Sequence, residues 1–178
     1  MNDAHGRARA IEHKAGETEI LLERRIQHAP AVVWRMLTQP AALPQWLAPG
    51  TVEARVGGRA TLDFGESGAT IDSTVRACEP ERLLVYSWSS GDGPERALSW
   101  SLTPIAEGTL LRLTLRLPEG EDGPKSAAGW DAHLEMLLSA LEGVPVRFPV
   151  DHFLAMRDWF RGRLGATERA PAAGARGT

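Results

Sequence analysis

The chain has 178 residues, 20 lysines and arginines against 23 aspartates and glutamates, a net charge of −3 and a pI near 6.0. That balance argues against a nucleic-acid binder, which would present a basic face to phosphates, and a single cysteine, Cys78, excludes an intramolecular disulfide. No run approaches the ~20 apolar residues of a membrane helix and the N-terminus lacks the apolar stretch of a secretory signal, so one cytoplasmic domain is expected, without membrane or nucleic-acid partners.

Residues 1–16 are polar, carry charge of both signs and show no hydrophobic period, and they read as a disordered, dispensable tail. From Thr18 to Gln27, Ile20, Leu22 and Ile26 alternate with Glu19, Glu23 and Arg25, which predicts a half-buried strand. Ala29-Pro30 opens a helix running to Thr38, with Val33, Trp34 and Leu37 on its buried side. Ala41–Leu47 reads as a second short helix, provided Pro44 falls in its first turn. Six strand-like segments follow. Val52, Ala54 and Val56 alternate up to the turn pair Gly57-Gly58, and Arg59–Phe64 places Ala60, Leu62 and Phe64 on one face. Ile71, Ser73, Val75 and Ala77 share a face before Glu79-Pro80. Leu83–Trp88, Leu98–Leu102 and Leu111–Leu117 complete an antiparallel meander joined by short turns.

The stretch that organises these strands is the last long helix, predicted from about Ala128 to Glu142 and ended by Gly143 and Pro145. Trp130, Leu134, Leu137 and Leu141 recur at spacings of three and four and form one apolar stripe, with Leu138 on one edge and His133 on the other. Such a stripe needs an apolar sheet face to lie against. The fold expected is therefore α+β, a sheet packed on a long C-terminal helix. A further helix, about residues 150–164, carries Phe153, Met156, Phe160 and Leu164 on one side. It either packs back on its own domain, forms a homodimer contact, or covers one mouth of a cavity. Residues 165–178 are rich in Ala, Gly and Pro and read as a second disordered tail, leaving a domain of 17–164 with a core of 18–143.

Ala29-Pro30 with Val33-Trp34 and LTQP, then Trp46, RVGGR at 55–59, ACEPERLLVYSW at 77–88, EGTLLRLT at 107–114 and GWDAHLEMLLSALEG at 129–143 keep an order and spacing that resemble the START-like superfamily. The branch they resemble is the one related to the C-terminal domain of the activator of Hsp90 ATPase. The resemblance covers about residues 18–143. It implies a helix-grip fold of START and Bet v 1 type, in which a curved antiparallel sheet wraps the long helix and leaves a cavity between them. It does not extend to the helix at 150–164.

The chemistry legible in the residues is sparse. The five histidines are scattered without ligand spacing, no cysteine pair exists, and no metal or cofactor is expected. No serine lies in a nucleophile elbow, and Cys78 has no basic neighbour placed to activate it. His133 is the titratable residue beside the apolar stripe, able to donate to a ligand or to act as acid or base. The residues expected to line a cavity are Trp130, His133, Leu134, Leu137 and Leu141 on the helix and Tyr86, Trp88 and Trp100 on strands. Small strand residues opposite the helix (Ala60, Ala69, Ser73, Ala77, Ala97 and Ser99) are expected to leave its volume. The first reading is a binding protein for an apolar or amphipathic small molecule. The alternatives are a cyclase- or aromatase-like enzyme using the same cavity, and a regulator of an Hsp90-type ATPase.

Overall fold

The computed structural model describes residues 7–68 and 70–169. Their strands are β1 (Arg7–Lys14), β2 (Glu17–Ile26), β3 (Gly50–Val52), β4 (Arg59–Leu62), β5 (Ile71–Glu79), β6 (Leu83–Ser87), β7 (Ala97–Ile105) and β8 (Gly108–Pro118); their α-helices are α1 (Pro30–Thr38), α2 (Gly123–Leu141) and α3 (Val150–Arg169). The strands form one curved sheet in the order β1-β2-β8-β7-β6-β5-β4-β3, each neighbouring pair antiparallel. The β3-to-β8 meander closes back on β2, because α1 and the turn after it carry the chain across from β2 to the far edge. The long helix α2 lies against this sheet and α3 packs on α2 and β1. This is the helix-grip arrangement, with one added helix.

The alternation read from β2 places Thr18, Ile20, Leu22, Arg24 and Ile26 inward, all buried. On β8 the inward set is Leu111, Leu113, Leu115 and Leu117, each at most 2% exposed. Burial of this kind stabilises the fold by roughly 1.5–3 kcal/mol per large side chain. α2 begins one turn before Ala128, since the Asp122 carboxylate accepts the Lys125 N–H at 2.9 Å and Pro124 sits in the first turn, where its missing N–H costs nothing. Gly123 admits the close approach of this end to the sheet: a Cβ there would stand 2.8 Å from Thr18 Cγ2.

Several expectations are corrected. The supposed N-terminal tail contains β1, which joins β2 through a two-residue turn, Ala15-Gly16, both at positive φ. Its strand character was hidden because Arg7 and Arg9 take inward places where apolar residues would normally alternate; Ile11 is the buried apolar residue of the strand. β3 stops at Val52. Residues 53–58 fold into a turn in which the Glu53 carboxylate accepts the Arg59 N–H at 2.6 Å, and Val56 is left 65% exposed. The second short helix contracts to a single 3-10 turn, Leu43–Gln45, around Pro44. An irregularity between Val75 and Ala77 shifts the β5 register and takes Ala77 off the face it was expected to share. Helix α3 runs on to Arg169, into the stretch expected to be a disordered tail. Residues 1–6 and 170–178, also assigned to tails, and Ala69 lie outside the described residues.

Candidate ligand-binding site

Helix α2 presents two chemically different faces. Along one, Leu134 and Leu137 are 1% and 0% exposed and belong to the core, with Leu141 packed at its margin. Along the adjoining edge, marked by Gly129 and His133, and at Trp130 near the start of the stripe, the helix borders a cavity of about 870 Å³. Facing them are Ile71 of β5, Trp88 just after β6, and Leu115 and Leu117 of β8. Phe64 comes from the loop after β4, Phe148 from the segment joining α2 to α3, and Phe153 from the first turn of α3. The polar residues around it include Ser89, Arg96, Glu121, Asp122 and Lys125.

The aromatic residues meet mostly edge to face, as ring quadrupoles favour. Trp88 and Trp130 have centroids 4.6 Å apart, Phe64 and Trp88 5.8 Å, His133 and Phe148 5.3 Å, and Phe148 and Phe153 5.7 Å. Behind them Trp100 supports Trp130 at 5.5 Å and Trp46 supports Trp100 at 5.8 Å. Trp46 is itself anchored, its Nε1–H donating to the Met36 carbonyl at 2.8 Å. Its own carbonyl lies 2.9 Å from His133 Nδ1. A carbonyl can only accept, so Nδ1 carries the proton. Burial pushes the His133 imidazolium below its ordinary pKa of 6.5, with the bond to Trp46 opposing the shift in part. At neutral pH the ring is uncharged.

At one side of the cavity Arg96 grips both carboxylate oxygens of Glu121, with Nε at 2.9 and 2.8 Å and Nη2 at 2.6 Å from Oε1. This bidentate pair ties the start of β7 to the turn before α2.

Of the eight residues expected to line the cavity, Trp88, Trp130 and His133 do so. Leu134, Leu137, Tyr86 and Trp100 are instead buried in the core, with Leu141 packed against it, and none of the five is among the cavity's lining residues. Tyr86 is a core residue whose hydroxyl is pushed up to about 12 by burial, so it does not ionise near neutrality. Nor do small strand residues make the volume. Ala60, Ser73, Ala77, Ala97 and Ser99 stand away from the cavity, which is walled by aromatic rings instead. The lining residues that sequence reasoning missed include Ile71, Leu115 and Leu117 on strands, and Phe64, Gly129, Phe148 and Phe153 from a loop, a helix edge, the segment joining α2 to α3 and the added helix. No single period connects them.

A second polar centre lies on the other flank of α2. Asp131, fully buried, accepts from Arg9 Nε and Arg24 Nη2, each at 2.6 Å to Oδ1. Its Oδ2 stands 3.2 Å from Arg9 Nη2 and 2.7 Å from His152 Nε2. Glu135, one turn on, pairs with Arg7 at 2.7 Å and with Arg24 at 3.2 Å. Burial alone would raise the Asp131 carboxyl, but hydrogen bonding from Arg9 and the charge of Arg24 outweigh it and hold the group at about 2. Asp131, Glu135 and His152 bring three ligand-type atoms within 4.8 Å. The guanidinium groups already occupy these carboxylates, so the donor set is that of an ion-pair network rather than a metal centre. The signal available in the sequence was a charge on each of two facing apolar stripes, Arg24 between Leu22 and Ile26 and Asp131 beside Trp130.

The fold, with its cavity beside the long helix, defines a START-like domain. Residues 27–142 match the family described as activator of Hsp90 ATPase homolog 1-like protein, and the chain belongs to it. Comparison with curated proteins gives no match. Among solved structures, the chain is similar to CalU16 from Micromonospora echinospora, at 20% identity over 88% of this chain and 97% of that one, with a TM-score of 0.72. It is similar to the conserved protein of unknown function EF2215 from Enterococcus faecalis, at 21% identity over 90% and 92%, with a TM-score of 0.76. DynU16, a protein in the dynemicin biosynthetic locus, shares 29% identity over 76% of this chain and 51% of its own, with a TM-score of 0.65. The strands β1 and β2 and the helix α3 fall outside the family's matched span. No helix among the described residues is long and apolar enough to cross a membrane.

Proposed function

We propose that this protein binds an apolar or amphipathic small molecule in the cavity beside α2. The observation that carries the reading is an aromatic-walled space of about 870 Å³ with a few polar groups at its edge, within the size and chemistry usual for small-molecule sites. The test is thermal unfolding of the purified chain against a library of apolar and aromatic compounds. A ligand present at a hundred times its dissociation constant adds about 2.7 kcal/mol, which is a rise of roughly 5–10 °C for a chain of this size. A broad library without such a shift would sink the proposal.

A second reading, a cyclase- or aromatase-like enzyme, is favoured by one feature: a neutral histidine bordering the cavity, with a pKa lowered by burial. It predicts turnover of a bound substrate that His133→Phe abolishes. Regulation of an Hsp90-type ATPase rests on the family description alone, and reproducible stimulation of a purified ATPase of that type would move it to first place. The proposed setting is cytoplasmic, with no nucleic-acid partner. A homodimer through the 150–164 helix would have to use Val150 and Leu154, 57% and 40% exposed, because Phe160 is buried within its own chain.

A further inference from the structure

We propose that His133 selects the ligand by accepting a hydrogen bond at Nε2, so that the site takes a hydroxylated aromatic molecule. The inference rests on the cavity reading above and adds to it the polarity of the contact. Nδ1 is committed as donor to the Trp46 carbonyl at 2.9 Å. In a neutral imidazole the other nitrogen is then a bare acceptor. Nε2 has no hydrogen-bond partner among the described residues, and the ring that carries it borders the cavity. Three rings surround the imidazole: Phe64 and Phe148 edge to face at 6.2 and 5.3 Å, and Trp130 tilted at 6.1 Å, between centroids.

Two of the polar side chains nearby, Arg96 and Ser89, are already engaged. Arg96 is held by both oxygens of Glu121, and the Ser89 hydroxyl is bonded to that of Ser87. An aromatic ligand pressed among these rings strips water from Nε2. If it carries a hydroxyl there, the acceptor is satisfied; if it carries only an ether or a carbonyl, two acceptors face each other and Nε2 is stranded. Leaving a buried acceptor unsatisfied costs more than an average hydrogen bond contributes. The tautomer therefore turns a greasy pocket into one that distinguishes a donor from an acceptor on the same ring system.

The probes are 2-naphthol and 2-methoxynaphthalene, which share a ring and differ in the donor. Titrated calorimetrically into the full chain at pH 7.5, the naphthol should bind about tenfold more tightly. His133→Phe, which keeps an aromatic ring and removes the acceptor, should erase the difference between the two. Should that variant fail to fold, nitrogen NMR of the wild-type imidazole decides: Nε2 should be unprotonated in the free protein and shift with naphthol but not with its ether. Equal affinities for the two probes, or a protonated Nε2 in the free protein, would overturn the inference while leaving the cavity reading intact. Failure of both probes and of the wider library to bind would remove the cavity reading, and this inference with it.

Discussion

At the scale of single residues, Gly129 offers the sharpest test of the cavity. It lies within α2, borders the space, and a Cβ built on it meets no atom within 4 Å. Gly129→Leu should project a side chain into the volume and raise helix propensity by up to about 1 kcal/mol. The expected result is an equal or higher melting temperature with the ligand shifts lost; persistence of every shift would place the ligand elsewhere. Asp131 makes an opposite prediction, loss of stability with a pH signature. Its folded carboxyl sits at about 2, below the ~3.9 of an unfolded chain, so the unfolded state takes up the proton first on acidification. The stability linked to Asp131 is thus fully present above about pH 4 and lost as pH falls to 2, about 2 kcal/mol in all. Asp131→Asn should cost roughly 3–5 kcal/mol at pH 7, since it leaves buried guanidinium groups without their anion, and should flatten that acid limb. Urea unfolding from pH 7 to pH 2 reads both effects, and parallel acid limbs would assign the titration to another group. His133, whose pKa is lowered by burial, works in the same direction at higher pH. The unfolded chain protonates it first, so stability should begin to fall as pH drops below the ordinary histidine value. His133→Phe should lack that component.

At the scale of elements, β1 and α3 are held by the same buried charge. Arg7 and Arg9 reach from β1 to Glu135 and Asp131, and His152 reaches Asp131 from α3. Removing residues 1–14 should therefore cost several kcal/mol, measurable by denaturant midpoint, where a dispensable tail would cost almost nothing. Phe160→Asp should cost roughly 2–4 kcal/mol, because it buries a charge in the contact of α3 with the rest of the chain; a folded variant of unchanged stability would contradict that packing. The strands β2 and β4 to β8 and the helices α1 and α2 were legible because alternation by two and recurrence by three and four report one buried face. β1 was not, because its inward places hold arginines whose partners lie more than a hundred residues away. The cavity was half legible for a related reason. Periodicity identifies the residues that face inward, as it did for Trp130 and His133, but not which of them the sheet covers. It therefore could not separate Leu137, which is covered, from Gly129, which is not.

At the scale of the whole molecule, a family core of 27–142 is extended by β2 and clasped on one flank by β1 and α3, all three from outside that span. Because β1 and α3 both converge on Asp131, they should open together. Hydrogen exchange of the wild type is expected to give β1 and α3 similar protection, and Asp131→Asn should release both while β7 and β8 stay protected. Separate behaviour of the two elements would show that their shared contacts with Asp131 do not couple them.

The strap between α2 and α3 also has a consequence in time. Phe148, 36% exposed, stands beside His133 and Phe153 at the cavity's edge. A ring in that position would touch a ligand once it is seated, so removing it should weaken the bound state more than it alters the encounter. Differences within one site are generally expressed in dissociation rather than association. Phe148→Ala should leave the association rate of a library hit within about threefold and raise its dissociation rate roughly tenfold, as stopped-flow fluorescence would read. On the proposed function, the core would hold the ligand and the appended segment would set its dwell time.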